Sequence, residues 1–194
     1  MTLIKSISGI RGTIGGKPGE GLSPIDIVKF TSAYASFIQQ KAGKDKVKIV
    51  VGRDARMSGS IVNSLVKNTL AAKGCNVVDI GLATTPTTEI AVPLENANGG
   101  IILTASHNPK QWNALKLLNE DGEFLNDAEG KTILALAESG DFTYAPVDLL
   151  GKIEYKDYTS THINSVLSLD LVNTDLIKAA NFSVAVDAVN SVGG

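Results

Sequence analysis

An alternation constrains this chain more than any other feature. Short apolar runs at Val47 to Val51, Asn76 to Ile80 and Gly100 to Thr104 are separated by stretches whose apolar residues recur at helical spacing. Ile27, Tyr34 and Ile38, with Val28 and Ala35 beside them, form the first stripe. It follows Ser23-Pro24 and Asp26, where the serine caps free N–H groups, the proline fits the first turn and the carboxylate suits the positive helix end; Gly43 closes it. A second stripe, Ile61, Val62, Leu65, Val66 and Leu70, runs from about Ser58 to Gly74, and Pro86 opens a short third helix that Thr84, Thr85, Thr87 and Thr88 cap and shape. Strand, helix, strand, helix, strand predicts an α/β fold: a mixed, mainly parallel sheet with helices on both faces. Ala114 to Leu118 adds a strand, Asn119-Glu120-Asp121-Gly122 a turn, and Asn126 the cap of a helix reaching about Glu138.

Beyond Gly140 the periodicity fades, which puts a domain boundary between residues 145 and 146. Residues 146–194 read as the start of a second α/β domain, with a helix around Tyr155 to Leu167 and a strand at Phe182 to Asp187. No helix follows that strand to cover it, so the unit is expected to be truncated and the natural protein longer.

The 18 basic and 20 acidic residues leave a net charge of −2. No overall field draws such a chain to nucleic acid or to a membrane surface, so an anionic ligand must be caught locally. The single cysteine, Cys75, allows no intrachain disulfide and reads as a buried thiol in a reducing compartment. The N-terminus has no signal-peptide run and no later segment reaches the length of a membrane span, so the expected location is cytoplasmic. Composition leaves the oligomeric state open.

Loops leaving the carboxyl ends of parallel strands are where ligands bind, and two such loops are rich in chemistry. One is Gly52-Arg53-Asp54-Ala55-Arg56. The other, Thr104-Ala105-Ser106-His107-Asn108-Pro109, joins a hydroxyl, an imidazole and an amide, with a proline that keeps the loop from continuing as a helix. A Ser-His hydrolase is one reading of that loop, but there is no G-x-S-x-G elbow, and a base next in sequence to its serine is badly placed to take the hydroxyl proton. A turn in which serine and asparagine only satisfy the backbone is the other plain reading.

TASHNP resembles the active-site serine loop of the α-D-phosphohexomutases, the family of phosphoglucomutases, phosphomannomutases and phosphoglucosamine mutases. SGIRG at 8–12 resembles the family's N-terminal arginine loop, GRDAR at 52–56 its G-R-D-x-R segment, and Asn113 with Lys116 its N-x-x-K. VAVDAVNSVGG at 184–194 is similar to the start of the second domain, while Gln111-Trp112 departs from the usual pattern between serine loop and lysine.

The resemblance implies a phosphorylated Ser106 that gives its phosphoryl group to a hexose phosphate. A hexose bisphosphate forms, turns over and returns the other phosphate, so that phosphate moves between C1 and C6. It casts Lys116 as general acid/base, Arg11 as an anion-binding cation, and His107 and Asn108 as contacts or shields of the phosphoserine. It implies Mg2+ bound to Ser106 through its phosphate, with the remaining ligands in a D-G-D-x-D loop outside this chain, so that the fragment alone is expected to be inactive. Arg53, Asp54 and Arg56 could bind phosphate or form an ion-pair scaffold behind the serine loop, and the scaffold is the favoured reading. A noncatalytic phosphate-binding or assembly module of the same fold is the alternative from another class.

Overall fold

The computed structural model describes residues 2–6 and 9–193. Ser8 of the arginine motif and Gly194 of the last motif lie outside them. The described residues form a sheet of seven strands: β1 (Ile4–Ser6), β2 (Gly9–Thr13), β3 (Lys48–Arg53), β4 (Asn76–Leu82), β5 (Gly99–Leu103), β6 (Trp112–Leu118) and β7 (Ile153–Tyr155). Their spatial order is β1-β2-β6-β5-β3-β4-β7. The pairs β5/β3, β3/β4 and β4/β7 are parallel, whereas β1/β2, β2/β6 and β6/β5 are antiparallel. The sheet is therefore mixed as expected, with antiparallel pairing confined to the half that carries the N-terminus.

Helices cover both faces because strand side chains alternate. Ile49 and Val51 of β3 join the larger core with α1 (Pro24–Ala42), α2 (Gly59–Ala72) and α4 (Asp127–Ser139). Val50 points the other way, into the smaller core beneath α3 (Thr85–Leu94). Each fully buried valine or isoleucine in these layers contributes about 1.5–3 kcal/mol of transfer free energy. Local signals end the helices where expected. Ser23 and Asp26 form a capping box at the start of α1, Gly43 closes it in the left-handed conformation at φ 61°, and Thr84 and Asn126 cap α3 and α4. Ile61, read as part of the buried stripe of α2, is 63% exposed; Val62, Val66 and Leu70 carry the buried face. Cys75 is buried, and that burial pushes its thiol up to about 12.

The structure departs from the expectation in three places. Residues 4–6 and 9–13 are strands, so Arg11 sits on β2, paired with Ala114 of β6, and not on a loop. β7 lies beyond the boundary expected at 145/146 yet pairs with β4, and the helix expected from Tyr155 starts instead at Thr159, as α5 (Thr159–Leu167). The strand expected over Phe182 to Asp187 does not form. Val184 and Val186 alternate as a strand should but are 77% and 78% exposed, and among the described residues no strand pairs with them. Without ladder bonds an alternating pattern alone does not hold an extended segment. A short α6 (Thr174–Ala179) precedes this stretch. Among the described residues no helix is long and apolar enough to cross a membrane.

Candidate active site

Parallel pairing brings the carboxyl ends of β3 and β5 to one edge, where Arg53 registers with Leu103 and the amide of Asp54 donates to the Leu103 carbonyl at 3.0 Å. The loops GRDAR and ASHNP therefore leave the sheet side by side. β6 returns antiparallel along β5, with Lys116 opposite Ile102, and β2 runs beside β6. This topology gathers Arg11, Ser106, His107, Asn108 and Lys116 around one cleft of about 230 Å³. All five residues expected at the site line it.

Gly9 makes the close approach of β2 to β6 possible. At φ 124° it occupies backbone space that other residues rarely adopt, and a Cβ there would stand 2.3 Å from the Leu115 carbonyl oxygen. Its neighbour Arg11 is exposed, and its guanidinium has no hydrogen bond or ion pair among the described residues. The Lys116 ammonium likewise has neither, and lies 5.7 Å from the centroid of the Phe124 ring. Among the described residues no carboxylate lines the cleft. Arg11 and Lys116, neither of them hydrogen-bonded or ion-paired among the described residues, thus share the cleft with Ser106.

Ser106 is in the left-handed region, at φ 52°, in a turn closed by the Asn108 amide donating to the Ala105 carbonyl at 3.0 Å. For a residue with a Cβ this conformation costs about 1–2 kcal/mol, so the surroundings must enforce it. The Ser106 amide donates to Thr104 Oγ1 at 3.0 Å, and the Thr104 hydroxyl in turn donates to Asp54 Oδ2 at 2.7 Å. Asp54 also pairs with Arg56, Nε to Oδ2 at 3.2 Å, while Arg53 Nη1 reaches the Asp54 carbonyl at 3.1 Å. The charged cluster of the GRDAR loop is turned toward the protein, behind the serine loop.

Residues 3–144 match the family model described as phosphoglucomutase/phosphomannomutase, alpha/beta/alpha domain I. The chain belongs to that family. It is similar to a phosphoglucomutase/phosphomannomutase of Thermococcus kodakarensis, 32% identical over 94% of this chain and 40% of the relative. A phosphoglucosamine/phosphogalactosamine mutase of Sulfurisphaera tokodaii is 33% identical over 95% of the chain and 39% of its own length. The chain thus spans about two fifths of the curated relatives it matches. Among solved structures, the phosphoglucomutase pp63/parafusin of Paramecium superposes on all of the chain and 40% of its own with a TM-score of 0.79 at 18% identity, a likeness of fold.

Within this family frame, the donor set does not make a magnesium cage by itself. Among the described residues no three His, Cys, Asp or Glu side chains converge as metal ligands, and the cleft contains only cationic and neutral groups. Asn113 of the N-x-x-K pattern is fully buried and does not reach the cleft; its side chain donates to Ser58 Oγ at 3.0 Å and accepts from the Ala114 amide at 2.8 Å. It fixes the start of α2 against β6. Sequence reasoning missed Phe124 and Thr104 as site residues. Phe124 arrives from the loop after β6 and carries no motif, whereas Thr104 belongs to the TASHNP run, where it is legible as a hydroxyl two residues before the serine.

Proposed function

We propose that this chain supplies the phosphoryl-carrying part of a sugar phosphomutase site, which moves phosphate between the C1 and C6 oxygens of a hexose phosphate. The observation that carries this reading is the exposed Ser106 on a left-handed turn, in one cleft with Arg11 and Lys116, which have no hydrogen bond or ion pair among the described residues, and with no carboxylate among the described lining residues. A phosphoserine brings about −1.5 to −2 charge. Its transfer calls for cations and in-line placement more than for covalent assistance. Arg11 suits phosphate oxygens through its paired donors. The side chains of His107 and Asn108 also have no protein hydrogen bond among the described residues, which supports them as further phosphate contacts.

In the transfer, a sugar hydroxyl oxygen attacks the phosphorus while Lys116, in its neutral amine form, takes up the hydroxyl proton and becomes the ammonium, which then gives a proton to the leaving oxygen. A new P–O bond to the sugar forms as the P–Oγ bond of Ser106 breaks, with its electron pair passing to Oγ. The proton removed from the sugar balances the one that Oγ acquires. The hexose bisphosphate then presents its other phosphate to Ser106, and the same steps run in reverse. A magnesium ion on the Ser106 phosphate would take its remaining ligands from outside the described residues, and these residues alone are proposed not to turn over hexose phosphate.

Intact-protein and peptide mass spectrometry of the full-length protein tests the reading. One phosphate should appear on Ser106 after incubation with a hexose bisphosphate, and Ser106→Ala should abolish it. If the wild-type serine never takes up phosphate, the chain is a noncatalytic module of the same fold.

A further inference from the structure

A guanidinium has five N–H donors and no acceptor, so the partners of Arg56 can be followed completely. Nε donates to Asp54 Oδ2 at 3.2 Å. Nη1 donates to the carbonyls of Pro109 at 2.9 Å and Trp112 at 3.0 Å. Nη2 donates to those of Ser106 at 2.6 Å and Asn108 at 2.9 Å. Every donor is engaged by the protein, and none is left for a substrate phosphate. Arg11 is the opposite case, with none engaged among the described residues.

We propose that Arg56 is a positioning residue that holds Ser106 in its left-handed turn; this rests on the reading of Ser106 as the phosphoryl carrier. The two peptide groups flanking the Ser106 Cα are both gripped. On one side the amide donates to Thr104 Oγ1, and on the other the carbonyl accepts from Arg56. Both grips converge on Asp54 Oδ2, which accepts from the Thr104 hydroxyl and from Arg56 Nε. One carboxylate thereby orients the two groups that set the serine's backbone, and through it the place of Oγ in the cleft. A lysine cannot substitute, because an ammonium is a point donor and not a planar fork able to reach several divergent carbonyls.

The test uses the full-length protein, with the rate of phosphate uptake on Ser106 from a hexose bisphosphate followed by quenched-flow mass spectrometry. Arg56→Lys and Arg56→Ala should slow uptake and kcat by about 10- to 100-fold, the scale of a misplaced reacting group, with the KM for hexose phosphate unchanged. Millimolar guanidinium ion should restore part of the rate in Arg56→Ala. Thr104→Val, which releases the other grip with little change of shape, should slow uptake in the same direction even where the Arg56 variants do not fold. Uptake at the wild-type rate in folded variants, a raised KM with kcat intact, or a loss that only follows the folded fraction overturns the positioning role. A wild-type protein that takes up no phosphate on Ser106 instead overturns the reading on which the role rests.

Discussion

The Lys116 ammonium lies 5.7 Å from the centroid of the Phe124 ring, and that aromatic face holds it without neutralising it. A ring contributes about 0.5–1 kcal/mol to such a contact at an exposed site, enough to bias the rotamer while leaving the N–H donors free. In the full-length protein Lys116→Ala should therefore keep phosphate on Ser106 while turnover falls by about 10²–10⁴, the range of a lost general acid/base. Peptide mass spectrometry reads the first quantity and a coupled assay the second. Turnover equal to wild type would remove the lysine from the chemistry.

Ser106→Gly separates fold from function at one position. Glycine adopts φ near 52° without the Cβ clash, so the folded state should gain, less what the unfolded chain gains in freedom. The net expectation is stabilisation of up to about 1 kcal/mol, or roughly 2–4 °C in Tm for a domain of this size, together with complete loss of phosphate uptake. Scanning calorimetry of the two chains measures it. A Tm several degrees below wild type would show that the turn stores no strain and that the serine side chain itself supports the loop.

What the sequence made legible is what local chemistry determines. The capping box of Ser23 and Asp26, the left-handed Gly43 and the caps at Thr84 and Asn126 depend on residues within a turn of one another. The strand order that unites Arg11, Ser106 and Lys116 is different in kind, because β2 pairs with β6 across about a hundred residues and is built from glycines and an arginine that do not read as a strand. A scaffold behind the serine loop is legible in the charged residues Arg53, Asp54 and Arg56, but the partners that make Arg56 a clamp are not. Its acceptors are backbone carbonyls, which every residue has, lying 50 to 56 positions away. Val184 and Val186 show the converse failure: a strand pattern is visible, but pairing is a property of the neighbour.

Tyr34 supplies a test of how the sheet is tied to α1. Its hydroxyl is fully buried and lies within hydrogen-bond reach of two carbonyls, Gly100 at 3.1 Å and Leu118 at 2.7 Å. Tyr34→Phe strands those acceptors on the α1 side and should cost about 1–3 kcal/mol. Burial raises the phenol well above its usual range, so the fold favours the neutral form. That contribution is complete below the unfolded value near 10 and is lost as pH rises beyond it. Denaturant titrations from pH 8 to 11 should therefore show the wild type losing more stability than Tyr34→Phe, and parallel profiles would remove the tyrosine as the cause.

Glu95 governs how the segment after β7 docks. Its carboxylate, at the end of α3, accepts from Tyr158 at 2.5 Å and Lys156 at 2.8 Å, and pairs with Lys48 of β3 at 3.3 Å. Burial alone would raise its proton affinity, but the hydrogen bonds from Lys156, Tyr158 and Lys48 outweigh it and the carboxyl is held below its usual range. A depressed carboxylate contributes stability above its unfolded value near 4.3, and that stability is lost as pH falls through the folded value. Between pH 5 and 3 the amides of β7 and α5 should lose exchange protection before those of α1. Glu95→Gln should show the looser docking already at neutral pH, with a global cost of about 1.5–3 kcal/mol typical of hydrogen bonds to a charged group. Exchange profiles that fall together in every element, or a Glu95→Gln variant as stable as wild type at pH 7, would show that the carboxylate does not hold this segment.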